Sequence, residues 1–356
     1  LRYPTFFYTA IFILTPTLAC AQTPTLWPSQ QQWFHFAQQV QTDTNLRQAM
    51  DYQRHIADPA LNATPQPVTT LITAGRLQGD PVKEQTQNAL KDMDKIQALA
   101  VTYKMTHDPR YAAKASDFLV AWAKVNQPTG QPIDETGLEP AIFGYRLIRD
   151  EISTEQRARI DAWMQSIANK EIGSRDLTKA TATNNWQSHR LKIVGMIGYV
   201  LGDPQLINYA RKGFEAQIND NLRADGQSID FIERDSLSYH VYDLRPLVTL
   251  ALAFGENGND LYHWRAPNGA SVAHSVEWLK PYLTGEKNHN EFVGSRVAFD
   301  KARSQNHEKG HEVGALYDPG NAAPLLDLVT AYDKSYAPLA HKAGRQSFWL
   351  TLDSQQ

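Results

Sequence analysis

"KEQTQNALKDMDKIQALAVTYKMTHDPRYAAKASDFLVAWAKV", residues 83 to 125, decides the fold class. Apolar residues recur through it at helical spacing on both sides of one short interruption, "THDPRY". There Asp108 suits an N-cap, whose carboxylate accepts from free backbone N–H groups. Pro109 suits the first helical position, where no N–H is needed. The stretch reads as two helices, Lys83 to Thr106 and Pro109 to Val125, whose short connection implies an antiparallel pair. Similar punctuation recurs at "STEQ" and at "GDPQL", where Asp203 and Pro204 repeat the arrangement. Further helices are expected over Gln30 to His55, Leu138 to Ile148, Thr154 to Lys170, Asn185 to Leu201, Pro204 to Asn219, Ser236 to Phe254 and Ala270 to Leu283. Alternating runs of β-branched residues are few, and no 34-residue repeat consensus is present, which disfavours an open solenoid. Closing the pairs into a ring buries every inner face. The expected architecture is therefore all-α, an incomplete α/α toroid of antiparallel helix pairs with a cleft lined by helix termini and loops.

A chain of 356 residues is long enough for one such domain, expected over residues 22 to 356. Hydrophobic residues at 42% and charged residues at 21% are ordinary for a globular protein. A net charge of -3 gives no bulk attraction for nucleic acid or anionic lipid. The opening "LRYPTFFYTAIFILTPTLACAQTP" has an arginine, an apolar run from Phe6 to Leu14, and Ala19-Cys20-Ala21 ahead of Gln22. It reads as a secretory signal over residues 1 to 21, too short and too interrupted by Pro16 to span a bilayer. A lipoprotein reading of Cys20 ranks second, because Thr17 stands where a lipobox usually has leucine. Cleavage after Ala21 removes the only cysteine and leaves no disulfide and no thiol nucleophile, which suits a periplasmic or secreted protein.

The long polar connections hold the unusual chemistry. In "ATATNNWQSHRLKI", residues 180 to 193, Asn184, Asn185 and Trp186 stand at a helix mouth, with His189 one turn on and on the same face as Asn185. The bland alternative makes Asn184 an N-cap and His189 a core-edge histidine. In "DFIERDSLSYHVYDLRPL", Arg234, Asp235, Tyr239, His240, Tyr242 and Arg245 crowd another helix entrance. An interfacial aromatic stripe with solvated charges does not explain why so many donors and titratable rings gather where a leucine-rich face would otherwise start.

Together "NNW" ahead of a helix and "RDSLSYHVYDLRPL" resemble the alginate lyase family, whose motifs are Asn-Asn-His before a helix and an Arg followed by Tyr-His. "GRLQGDP", "FLVAWAKVNQPTGQPIDETGLEP" and "LTGEKNHNEFVGSRVAFDKAR" look like a branch of it, so the resemblance spans about residues 70 to 303. It implies a secreted or periplasmic lyase with an incomplete α/α toroid, cleaving uronate polysaccharides by β-elimination with no required cofactor or metal. In that chemistry loss of the C5 proton builds negative charge on the uronate carboxylate, which an amide or cation must stabilise. Asn185 and Arg234 suit that role. A base takes the proton and an acid protonates the O4 leaving group, for which Tyr239 and His189 are candidates. One departure matters: the family's histidine after the second asparagine is Trp186 here. Either His189 compensates from one turn along, or Tyr239 serves as both base and acid. The second route suits a proton and leaving group on one face, as in mannuronate and unlike guluronate or glucuronate.

Substrate contacts are expected from Arg76, Lys95, Asn184, Trp186, His240, Tyr242, Arg245 and Arg296. Guanidinium forks and aromatic platforms suit an acidic polysaccharide such as alginate, polymannuronate or glucuronan. Two rivals compete. "HEKGH", His307 to His311, matches the zinc-peptidase pattern H-E-x-x-H, but Gly310 and its polar flank argue against the helix that motif requires. Asp134 and Glu135, with Asp230 and Asp235, offer the acid and base of a glycoside hydrolase, against which stands ordinary helix capping and loop bracing. A non-catalytic glycan-binding protein on a degenerate lyase scaffold is the third alternative, supported mainly by Trp186.

Overall fold

The computed structural model describes residues 23 to 342. The expected leader and Cys20 lie outside them. The chain runs through α1 (Gln30–Gln39), α2 (Thr44–Ala60), α3 (Pro81–Thr106), α4 (Pro109–Val125), the single turn α5 (Pro132–Glu135), α6 (Glu139–Ile148), α7 (Thr154–Gly173), α8 (Asn185–Leu201) and α9 (Pro204–Asn221). It continues through α10 (Ile229–Arg234), α11 (Leu237–Gly255), α12 (Val272–Thr284), α13 (Ala298–Gln305), α14 (Ala323–Val329) and α15 (Ala337–Lys342). Among the described residues there is no strand, only two isolated bridges, Leu222 with Ser228 and Asn290 with Leu316. No helix among them is long and apolar enough to cross a membrane.

The caps expected from sequence form. Asp108 accepts from Arg110 N and Asp203 from Gln205 N, each ahead of a proline in the first turn, while Ser153 and Gln156 close a reciprocal capping box. The single helix expected over Gln30 to His55 is in fact two. Thr42 Oγ1 donates back to the Gln39 carbonyl and the Asp43 carboxylate accepts from Leu46 N, so polar side chains end α1 and start α2.

α3, α6, α8 and α11 pack one against the next, with α2 against α3, α4 against α3 and α6, α7 against α4 and α8, and α9 against α8. The inner helices are recognisable by burial on all sides. From Gln187 to Gly198 every residue of α8 is buried, and α11 is buried from Pro246 to Gly255. This is the α/α toroid, and it brings the N-termini of α8 and α11 side by side.

Candidate active site

An inner helix buried all round can carry polar residues only if its neighbours satisfy them. α8 carries Asn185, Gln187, Ser188, His189, Arg190 and Lys192, all buried. Asp230 of α10 accepts from Asn185 N at 2.8 Å and from Asn185 Nδ2, and Asn221 Nδ2 joins it at 3.1 Å. One Nδ2 hydrogen of Asn185 is thereby spent and one remains. Ser188 Oγ donates to Asp243 at 2.7 Å, Arg190 pairs with Glu171 at 3.2 Å, and Lys192 pairs with Glu139. Burial pushes Asp230 up to about 6 and, with the Asp230 charge beside it, raises Asp243 well above the usual carboxylate range. Glu139 goes the other way: burial opposes its ionisation, but Lys192 and Arg245 prevail and hold it at about 2.

The second element is the entry to α11. The chain leaves α10 through Asp235 in the left-handed region, φ 48°, a conformation Asp tolerates better than most residues. The buried Glu291 carboxylate then accepts from Ser236 Oγ at 2.6 Å, Leu237 N at 2.8 Å and Ser238 N at 3.2 Å, an anion on the free N–H groups of the helix start. Tyr239 in the first turn is consequently fixed. Arg234 lies over its ring at 3.9 Å and is anchored by Asp300, while Arg303 Nη1 donates to the Tyr239 hydroxyl at 3.1 Å. Burial pushes the phenol up, and the Arg234 and Arg303 charges pull against it.

These groups meet in a cleft of about 790 Å³. Its floor includes Asn185 and Trp186 from α8 and Tyr239 and Tyr242 from α11, with Arg234 and Arg303 beside them. One rim is the 73–76 loop, which Asp134 braces by accepting from Thr73 N, Thr73 Oγ1 and Ala74 N at 2.6, 2.7 and 2.7 Å. The other is the loop after α13, with Lys309, Gly310 and His311. Glu308 clasps the two: it accepts from Gln78 N at 2.6 Å and from Arg303 Nε at 2.8 Å and faces Lys83 Nζ at 3.9 Å. Arg76 lines the cleft, paired with Asp80 at 2.7 Å. Among the described residues Asp134 is the one carboxylate in the wall, against Arg76, Lys83, Arg234, Arg303 and Lys309.

A family model described as alginate lyase matches residues 36–289. The chain belongs to the alginate lyase family. A polysaccharide lyase of Stenotrophomonas maltophilia is 26% identical over 222 residues, which cover 58% of this chain and 64% of that protein's length. In fold, an alginate lyase crystal structure from Bacteroides ovatus superposes with a TM-score of 0.69 at 14% identity, covering 94% of this chain and 100% of that one. Alginate lyase A1-III from Sphingomonas species A1 gives 0.61 at 21% identity, covering 75% and 80%. A variant of alginate lyase A1-III solved with a tetrasaccharide gives 0.60, also at 21% identity, covering 76% and 80%.

Set in this alginate lyase frame, the residues singled out from sequence divide. Asn185, Arg234, Tyr239, Arg76, Trp186 and Tyr242 line one cleft. His189 does not reach it. The ring is 3% exposed, packed 4.4 Å from Tyr242, and its Nδ1 meets Thr136 Oγ1 at 2.7 Å. That hydroxyl also accepts from Lys192 Nζ at 2.6 Å. Pro246 has no N–H to return to the Tyr242 carbonyl, and the His189 ring faces the backbone there. Burial, then Lys192 and Arg245, drive the imidazole well below its ordinary range, so it is a neutral packing group enclosed beneath the cleft. The base role expected of His189 does not fit this placement.

The other residues outside the cleft are held by neighbours. Lys95 pairs with buried Asp92 at 2.9 Å, Asn184 is the N-cap of α8, and Arg245 pairs with Glu139 at 3.3 Å. His240 is enclosed between Ser228 Oγ and the Ser275 carbonyl, at 2.9 and 3.2 Å. Arg296 is exposed, and its backbone N–H donates to the Glu233 carbonyl at 2.9 Å. The zinc-motif histidines lie beyond the end of α13 at Gln305, with His307 at φ 54°, so they share no helix face. Arg303, Lys83 and His311 also line the wall and were not among the expected contacts, although Arg303 closes the stretch "LTGEKNHNEFVGSRVAFDKAR" and His311 ends "HEKGH".

Proposed function

We propose that the protein is a polysaccharide lyase that cleaves alginate or a related polyuronate by β-elimination, leaving unsaturated uronate ends. The carrying observation is the Tyr239 hydroxyl, held by Arg303 at 3.1 Å under a guanidinium stacked at 3.9 Å, in a cleft wall rich in cations. Such a wall favours a glycan bearing carboxylates, and Trp186 offers a sugar ring an aromatic face. Tyr239 is the acid. Burial keeps its proton on in the resting site, and Arg234 and Arg303 stabilise the phenolate once the proton has passed to O4. The remaining Nδ2 hydrogen of Asn185 and the free N–H groups of Arg234 stabilise the carboxylate charge that grows as C5 loses its proton. The apolar opening of the chain supports export to the periplasm or beyond, where such polymers are met.

Hydrolysis is less well supported. Asp134 braces a loop, Glu135 accepts from Thr129 N and Gly130 N, Asp230 holds Asn185, and Asp235 accepts from Gly294 N. The test is a panel of alginate, polymannuronate, polyguluronate, glucuronan and hyaluronan followed by ultraviolet absorbance, since a C4=C5 bond conjugated to the carboxylate absorbs and a saturated end does not. Release of saturated sugars alone overturns the reading. Tyr239→Phe is expected to lower turnover by roughly 10²- to 10⁴-fold, the usual worth of a positioned acid.

A further inference from the structure

Taking the C5 proton requires a lone pair, and few groups in the cleft wall have one of useful basicity. Lysine and arginine side chains only donate, and the amides of Gln87, Asn185 and Asn321 are not bases. Tyr239 holds its proton, and His189 is buried outside the cleft lining. Asp134 is spent on the 73–74 backbone, and a carboxylate base would repel the substrate's own carboxylate. His311 is different. Its ring stacks on Phe292 at 5.7 Å with planes 19° apart, and it lines the cleft. Nδ1 lies 3.3 Å from the Lys309 carbonyl. A carbonyl can only accept, so Nδ1 carries the hydrogen and Nε2 keeps a lone pair.

We propose that His311 is the catalytic base of this cleft, its Nε2 taking the C5 proton while Tyr239 gives its phenolic proton to O4. This rests on the lyase reading above. The C5–H electron pair becomes the C4=C5 bond, the C4–O4 bond breaks, and O4 leaves as a hydroxyl. Imidazolium and phenolate remain, and solvent returns the proton from one to the other. A neutral base that becomes cationic beside a growing dianion is electrostatically favoured. Burial and Arg303 hold the imidazole below its ordinary range, while the Lys309 carbonyl, Glu308 and Asp300 act in the opposite sense, so it rests neutral. It also supplies the imidazole that Trp186 displaces from the family's usual position.

The test uses the full chain with His311→Ala and His311→Gln on polymannuronate and polyguluronate. Expected are a kcat loss of roughly 10²-fold or more, KM changed by less than about threefold, unaltered thermal unfolding, and partial rescue of the alanine variant by added imidazole. The acid limb of the kcat/KM profile is expected to vanish in His311→Gln. Turnover within about threefold of the parent on both polymers overturns the proposal and leaves Tyr239 as both base and acid. A loss carried by KM, or one that imidazole does not rescue, overturns it as well and makes His311 a binding residue. If the parent protein yields no unsaturated product from either polymer or from the wider panel, the lyase reading itself falls and takes this inference with it.

Discussion

Removing the Glu308 carboxylate should open the cleft without unfolding the toroid. Glu308 is 3% exposed and ties Gln78 N, 230 residues away in sequence, to Arg303 Nε. In Glu308→Ala both donors lose their acceptor. Breaking a buried pair by deleting one partner costs roughly 3–5 kcal/mol. The low end, about 3, applies here because Arg303 keeps 19% of its side chain exposed to water. At about 1.4 kcal/mol per factor of ten, clasp opening should become roughly 100-fold more frequent. Glu308→Gln keeps an acceptor but loses the charge assistance, about 1.5 kcal/mol, for roughly a tenfold effect.

Amide exchange at Gln78 reads this directly, with the buried amides of α8 as the internal control. Turnover should fall too, since the guanidinium that Glu308 orients is the one that holds the Tyr239 hydroxyl. Burial raises the Glu308 carboxyl, but hydrogen bonds from Arg303 and Gln78 outweigh it and leave it lowered. A lowered carboxylate stabilises above its unfolded value and loses that contribution as pH falls through the folded one. The parent clasp should therefore loosen only in acid, below the ordinary glutamate range. Gln78 exchange within about threefold of the parent in Glu308→Ala would refute the clasp, and so would equal acceleration of the α8 amides.

Glu139→Gln should cost roughly 3–5 kcal/mol of unfolding free energy in urea, because Lys192 is 2% exposed and would be left without its counter-charge. Asp243→Asn should change stability by only about 1 kcal/mol, since the raised carboxyl already carries a proton that an amide mimics. In the parent protein, Asp230 at about 6 and Glu171 at about 9 are raised groups, whose stabilisation is present in acid and lost as pH rises through those values. Glu139, lowered to about 2, behaves oppositely and protects down to the ordinary carboxylate range. Buried His189 and His240, both lowered, act against this by losing stability as pH falls, so the test is a difference: Glu171→Gln should gain stability relative to the parent between pH 5 and pH 7, and a parent-minus-variant difference that stays flat there would refute this assignment.

The long helices were legible because their starts are written locally: Asp108-Pro109 and Asp203-Pro204 satisfy free N–H groups whatever the tertiary context. α10 and α13 were not, being six and eight residues long and held by side chains that sequence cannot bring together, Asp230 to Asn185 and Asp300 to Arg234. The site divides in the same manner. Residues at helix mouths, such as Asn185, Trp186 and Tyr239, reach the cleft because the toroid gathers those mouths. His189 shares a face with Asn185, but four residues along a helix is about 6 Å deeper, which carries the ring below the floor and behind Tyr242. Periodicity reports a face and is silent on depth. Lys95 and His240 are likewise held away from the cleft, Lys95 by buried Asp92 one turn back on its own helix and His240 by Ser228 ahead of α10.

Trp186 redistributes the chemistry of the floor. An indole has no lone pair to offer a proton, so with tryptophan at the helix mouth the floor keeps an apolar platform and the phenol of Tyr239 but no accessible imidazole. The base then has to arrive from another element, and His311 arrives on the loop after α13. That loop is held by Glu308, the residue that also orients Arg303 toward Tyr239. Acid and base thus depend on one carboxylate that also binds the opposite rim through Gln78. The contact that joins the two rims is therefore the same one that places the proton-transfer pair, so disturbing Glu308 should disturb both at once.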